Sequence, residues 1–273
     1  MGESGCGKST LLRLLLQLEK PSEGDILFRG KSFSNFTDEN RLEFRREVSA
    51  VFQDAAASLN PRLTLSRLVA EPLTNFQNSL SGSAMEEKVM AVLEQVGLDS
   101  IYTNRYPHEL SGGQQRRIAI ARAMIAKPKL ILCDEATSGL DISVQAQLLN
   151  LLLDLQQEHG LHYLFVSHDL SIVRYLCPHI MVMYGGQIVE TIPTSMLNMV
   201  AHPYTEALLA AEPALLPDKK LKLLEGEPPD PADYGSGCRF YSRCARRETL
   251  CRQEAPQLKE IEPDHRVACW LHE

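Results

Sequence analysis

Gly2, Gly7, Lys8 and Ser9 have the types and the spacing of G-x-x-x-x-G-K-[ST]. Each type has a physical use. Glycines let backbone amides curl around phosphate oxygens, Lys8 adds a movable cation, and the Ser9 hydroxyl can ligate magnesium. The loop runs from Gly2 to Thr10, with Gly5 and Cys6 inside it, and residues favouring helix follow at once. That helix would turn its positive end toward a bound anion. At ordinary residue frequencies such a string arises by chance in roughly one chain of this length in a hundred. A plain glycine turn would not account for the helix behind it.

A second glycine pair stands in LSGGQQRR, Leu110 to Arg117, where Ser111, Gly112, Gly113 and Gln114 offer another set of phosphate-directed amides. A helix cap explains Ser111 but leaves the second glycine and Gln114 unaccounted for. In LILCDE four apolar residues precede Asp134 and Glu135, which places two adjacent acids at the mouth of a buried strand. Acids on an open surface would merely be solvated. Gln53 ends another apolar run, Asp141 stands in SGLD and His168 in VSHD. Alone each of these is a weak signal, since a lone histidine after a strand is more often a structural hydrogen bonder.

Taken in order from residue 2 onward, these motifs resemble the ABC ATPases. The stretches SLNPR, SVQAQLLNLL, HPYTEALL, LLEGEPPDP and GCRFYSRC are similar to the ATP-binding subunits of oligopeptide, dipeptide and nickel importers. The resemblance implies ATP and magnesium as cofactors. It implies that Asp134 holds magnesium, that Glu135 is the general base, that Gln53 touches magnesium and water, and that His168 lies near the γ-phosphate. Asp141 would carry signals between subunits. A second ATP-binding subunit, identical or homologous with a preference for the latter, would close its own Ser111, Gly112, Gly113 and Gln114 over the nucleotide. Two transmembrane permease subunits would be driven through QDAAASLNPRLTL, with a solute-binding protein as an indirect partner. The chain would then work at the cytoplasmic face of the membrane.

Two other readings stay open. A soluble ABC ATPase would share every nucleotide-site residue, but the single nucleotide domain, the lack of long heptads and the importer-like tail weigh against it. The second is an N-terminally truncated, ATPase-deficient remnant. Family members carry strands and an adenine-stacking aromatic before the loop, whereas only Met1 precedes it here. A loop without a strand is expected to be poorly preorganised.

The elements needed to position these residues point to an α/β fold of the P-loop, ABC type. Its mostly parallel sheet is flanked by helices, with a helical subdomain at about 55–126, N-terminal strands missing and a small cysteine-containing C-terminal extension. Strands are expected at Asp25–Phe28, Val48–Phe52, Leu130–Cys133, Tyr163–Ser167 and Ile180–Tyr184. Helices are expected at Ser9–Glu19, Glu39–Arg46, Met85–Gln95, Val144–Glu158 and Tyr204–Ala211. Pro72 is expected to break a helix and Ser111–Gly113 to form a turn. The nucleotide domain would span 1–211 and a proline-rich linker 212–236. The tail, 237–273, reads as a second unit.

The 273 residues, 44% of them hydrophobic, suffice for a core. A net charge of −7 disfavours nucleic acid as a partner. No apolar run reaches the roughly 18 to 20 residues that cross a bilayer, and no secretory leader is visible, so a cytosolic location is expected. There disulfides are rare. Four of the seven cysteines, Cys238, Cys244, Cys251 and Cys269, are spaced C-x5-C-x6-C-x17-C. That spacing fits no C-x2-C zinc pair and leaves zinc, an iron–sulfur cluster or free thiols open. The family resemblance implies a four-iron cluster. Cys6, Cys133 and Cys177 read as packing residues.

Overall fold

In the computed structural model the phosphate-type loop runs straight into helix α1, Lys8–Leu15. The structure describes residues 1–76, 82–211, 226, 229–230 and 233–272. Most of the expected proline-rich linker therefore lies outside the described residues. Contacts divide the chain into two units, Leu12–Val166 and Met1–Leu11 with Ser167–Glu273.

In the unit Leu12–Val166, β1 (Leu27–Phe28) and β2 (Lys31–Ser32) form a small antiparallel pair. Beside it Phe28, Phe33, Phe36 and Phe44 pack edge to face or tilted, with ring centroids 5.0–6.3 Å apart. Phe44 belongs to α2 (Asp38–Glu47), a helix defined by its own ends: Thr37 accepts from the Asn40 amide, Asp38 and Glu39 fill the first turn, and Arg45 and Arg46 the last. Strand β3 (Val48–Val51) then leads through α3 (Ala55–Ser58), α4 (Leu65–Phe76), α5 (Gly82–Gln95) and α6 (Gly112–Met124) to β4 (Leu130–Asp134).

Helix α4 buries Leu65, Leu68, Val69 and Leu73, and it lies against α6. Each such leucine contributes on the order of 2 kcal/mol through burial. That burial explains a departure from the sequence reading. Pro72 lies inside α4 and does not end it, because the apolar stripe on either side holds the helix against α6 despite one lost backbone bond.

Helix α7 (Ile142–His159) opens on the Asp141 cap and closes on Gly160 in the left-handed region. Strand β5 (His162–Val166) follows. The parallel sheet runs β3–β4–β5, with Ile131, Leu132 and Cys133 at its centre. Leu12, Leu132 and Val166 form one core cluster there.

The other unit is differently made. It contains α8 (Leu170–Leu176), β6 (His179–Tyr184), β7 (Gln187–Pro193), α9 (Pro203–Ala210), α10 (Thr249–Gln253), β8 (Lys259–Glu262) and β9 (His265–Val267). Its sheet, β6–β7–β9–β8, is antiparallel throughout. The strand expected at Ile180–Tyr184 to continue the parallel alternation instead forms a hairpin. Gly185 and Gly186, both at positive φ, make a two-residue turn that parallel pairing has no use for. The tail, 237–273, adds two strands to this sheet.

Candidate functional site

The loop from Gly2 to Lys8 is fixed by long-range backbone bonds to β6. Met1 donates to the Met181 carbonyl at 2.8 Å and accepts from the Met183 amide at 2.7 Å, the bonding pattern of a parallel strand pair. The Cys6 carbonyl accepts from Gly186 at 2.9 Å. Gly2 is buried, and a Cβ there would collide with the Met183 carbonyl oxygen. Gly5 and Gly7 sit at φ 79° and 103°, which favour glycine. The expectation of an unanchored loop is therefore overturned: a single residue, Met1, supplies the strand-like bonds.

Within the loop the Lys8 ammonium donates to the Gly2 and Glu3 carbonyls at 2.7 and 2.8 Å. Cys6 is buried with its Sγ 3.7 Å from that ammonium. Ser9 and Thr10 are exposed at the start of α1. His168 is exposed on the turn after β5, just before Asp169, which caps α8.

The remaining candidates for the nucleotide site lie in the unit Leu12–Val166. Asp134 is the last residue of β4, and the Glu135 amide extends the ladder by donating to the Val166 carbonyl at 3.0 Å. Glu135 then turns at φ 43°, in a left-handed conformation that a glutamate adopts at a cost. Its carboxylate accepts from the Gln53 amide at 3.1 Å, so the structure brings together two of the predicted residues that lie far apart in sequence.

Sequence reasoning missed the residue beneath them. Arg116, 9% exposed, donates to the carbonyls of Ala136 and Ser138 at 2.8 and 2.7 Å, and more weakly to that of Glu135. Burial holds its guanidinium below the usual arginine range. Nothing in LSGGQQRR distinguishes it from the neighbouring Arg117.

Ser111 is an N-cap, as its residue type allowed, and the turn expected over Ser111–Gly113 is the start of α6. Its hydroxyl accepts from the Gln114 amide, while the Gln114 side chain accepts from the Ser111 amide at 3.0 Å and donates to the Tyr102 hydroxyl at 3.0 Å. Gly112 and Gly113 are already helical, because this reciprocal cap satisfies the first amides. A Cβ on Gly113 would come within 2.7 Å of Val144. Asp141 caps α7 through the Val144 amide, and its hydrogen bonds with Ser143 and Val144 hold its carboxyl below the usual range.

The four tail cysteines converge. Cys238, Cys244, Cys251 and Cys269 line one cavity of about 20 Å³ together with His202, Phe240 and Trp270. Burial pushes the Cys238 thiol up to about 11, and raises those of Cys244 and Cys269. Among the described residues no three His, Cys, Asp or Glu side chains stand at the spacing of ligands to one metal ion.

The family profile described as ABC transporter matches residues 1–138, from the phosphate loop through the Asp134–Glu135 turn. The chain belongs to the ABC transporter family. A second profile, oligopeptide/dipeptide transporter C-terminal region, matches residues 189–251. This ABC transporter chain is 45% identical to the oligopeptide transport ATP-binding protein AppF of Bacillus subtilis, over 100% of the chain and 84% of the relative. It is 43% identical to the dipeptide transport ATP-binding protein DppF of Haemophilus influenzae, over 99% of the chain and 83% of the relative.

Among solved structures it resembles a dimeric ATP-binding cassette in a post-hydrolysis state, bound to ADP and Pi. The TM-score is 0.64 at 32% identity, covering 71% of this chain and 83% of that one. It also resembles cbiO1 of Clostridium perfringens, part of the transporter complex cbiONQ, with TM-score 0.65 at 29% identity, covering 73% and 77%. As an ABC ATPase the chain binds ATP with magnesium and hydrolyses it. No helix among the described residues is long and apolar enough to cross a membrane.

Proposed function

We propose that this chain couples ATP hydrolysis to the import of oligopeptides, dipeptides or a related solute such as nickel, while docked at the cytoplasmic face of the membrane on two transmembrane permease subunits. A solute-binding protein would deliver the cargo. Gly2 to Thr10 take the phosphates, with Lys8 as the cation. Ser9, Gln53 and Asp134 serve the magnesium ion. Glu135 is the general base for the attacking water, Gln53 orients it, and His168 senses the γ-phosphate. A second, homologous ATP-binding subunit contributes its Ser111, Gly112, Gly113 and Gln114 to the nucleotide, and Asp141 lies at that junction. The permeases meet the exposed residues of 54–62, which Arg122 pins by donating to the Ser58 carbonyl at 2.7 Å.

The observation that carries hydrolysis, and not nucleotide binding alone, is the Gln53 amide on the Glu135 carboxylate. It holds the base in place before any substrate arrives. Glu135→Gln is expected to lower the hydrolysis rate by about a hundred- to ten-thousandfold and to leave the chain trapped with ATP as a dimer. Wild-type turnover in that variant would refute the assignment.

The four tail thiols, as proposed here, hold an iron–sulfur cluster whose role is to tie the tail together. Binding would displace the thiol protons that burial now retains. Visible absorption with iron and sulfide in the anaerobically purified chain is the expected result. Stoichiometric zinc, or no metal, would overturn it.

A further inference from the structure

Glu3 stands at a position the phosphate-loop pattern leaves free, yet it is the most tightly held residue of the loop. Its carboxylate accepts from both terminal nitrogens of Arg243 at 2.7 and 3.2 Å. Its amide donates to the Tyr204 hydroxyl at 2.8 Å. Its carbonyl receives the Lys8 ammonium at 2.8 Å. Side chain, amide and carbonyl are thus all engaged, and the third engages the cation on which phosphate binding depends.

Arg243 comes from the cysteine tail. It ends the short 3-10 turn Tyr241–Arg243 and immediately precedes Cys244. Its side chain is 5% exposed and that of Glu3 25%, so the ion pair is shielded mainly on the arginine side. The guanidinium lies over the Tyr184 ring, 5.9 Å from its centroid. Tyr184, Tyr204 and Phe240 pack together with centroids 4.7–5.4 Å apart, which fixes both the hydroxyl and the arginine that meet Glu3. A bidentate arginine–carboxylate pair on such a platform has one geometry, so it fixes orientation as well as charge.

We propose that Arg243 is a positioning residue for the ATP site: through Glu3 it holds the loop carbonyls that orient Lys8, and so makes phosphate affinity depend on a docked tail. The inference rests on the reading of Gly2–Thr10 as the ATP loop. It assigns the tail a part in nucleotide binding, separate from anything bound by its thiols.

The test is titration of the full chain with ATP and magnesium, and with ADP, alongside thermal unfolding. Arg243→Gln and Glu3→Gln are each expected to weaken nucleotide binding about tenfold. The double variant is expected to be no weaker than either single one, because both act through one contact. Arg243→Lys, which keeps the charge but not the two-pronged contact, should fall between. Arg246→Gln, on the same tail but paired at the surface with Glu206, should bind as wild type does.

Unchanged affinity in Arg243→Gln, or losses that add in the double variant, would overturn the proposal. Should Arg243→Gln fail to fold, Glu3→Gln and Arg243→Lys carry the same decision. Lys8→Ala separates the two levels. If it binds ATP normally, the reading of the loop itself is wrong. If it loses binding while the Glu3 and Arg243 variants do not, only this inference falls.

Discussion

The phosphate loop and the Ser111 turn are both short glycine segments leading into helices, yet they are held in opposite ways. The Ser111 cap is stabilised mainly by neighbours: its partner is Gln114, three positions on in one capping box, and Gln114 in turn bonds Tyr102. The loop is held by Met181, Met183, Gly186, Tyr204 and Arg243, all far along the chain. A locally capped segment keeps its shape when distant parts are disturbed. A segment held from afar inherits every weakness of its supports.

Four substitutions or conditions would break or sharpen that contrast. Gly2→Ala should be the most damaging, since the new methyl meets the Met183 carbonyl with nowhere to go. A loss of about 3 kcal/mol or more, with nucleotide binding abolished, is expected in denaturant and ATP titrations. A wild-type unfolding midpoint would show that the loop yields easily.

Acid should come next, and should strike the loop side alone. His202 caps α9 by accepting from the Tyr204 amide at 3.1 Å. Burial, helped by the charges of Arg246 and His272, lowers its pKa from 6.5 to about 4. The folded chain therefore keeps it neutral, and stability is unaffected above the unfolded value. As pH falls from about 6.5 toward 4, the unfolded chain gains a proton that the folded chain refuses, and roughly 2 to 3 kcal/mol is lost. His202→Asn retains a cap and should flatten this slope; an identical pH profile in the variant would mean that another group is responsible.

Gly113→Ala should cost about 1 to 3 kcal/mol, because Val144 must move aside. Its effect should stay within α6 and α7, leaving ATP affinity of the isolated chain intact. Ser111→Ala should be mildest, about 1 kcal/mol, the worth of an N-cap. Thermal unfolding resolves both, and a drop in ATP affinity for either would erase the distinction between local and distant support.

The same contrast explains what was legible beforehand. Asp134 and Glu135 were found at a strand end because four apolar residues announce a buried strand, and Gln53 because it ends another. Their meeting, at 3.1 Å, could be expected only from the resemblance, since nothing local records it. The cap at Ser111 was legible from its residue type, but the two glycines, which in other settings make turns, hid that Gln114 completes the capping box. Pro72 misled for a similar reason: local propensity argued for a break, and packing of Leu68 and Leu73 overruled it.

Arg116, Tyr204 and Arg243 gave no usable signal. A buried arginine has the same letter as an exposed one, and its partners are carbonyls or residues a hundred or more positions off. The antiparallel sheet was missed because an apolar strand looks alike in either orientation. The Gly185–Gly186 pair was the clue to the hairpin.

The hold of Arg243 on Glu3 also orders events during synthesis. Glu3 leaves the ribosome well ahead of its ion-pair partner, which is made 240 positions later. At about 5 to 20 residues per second, that is an interval of roughly ten to fifty seconds. Throughout it the nascent chain carries the loop without this clamp, so nucleotide binding at full strength must wait until Arg243 has been made and docked.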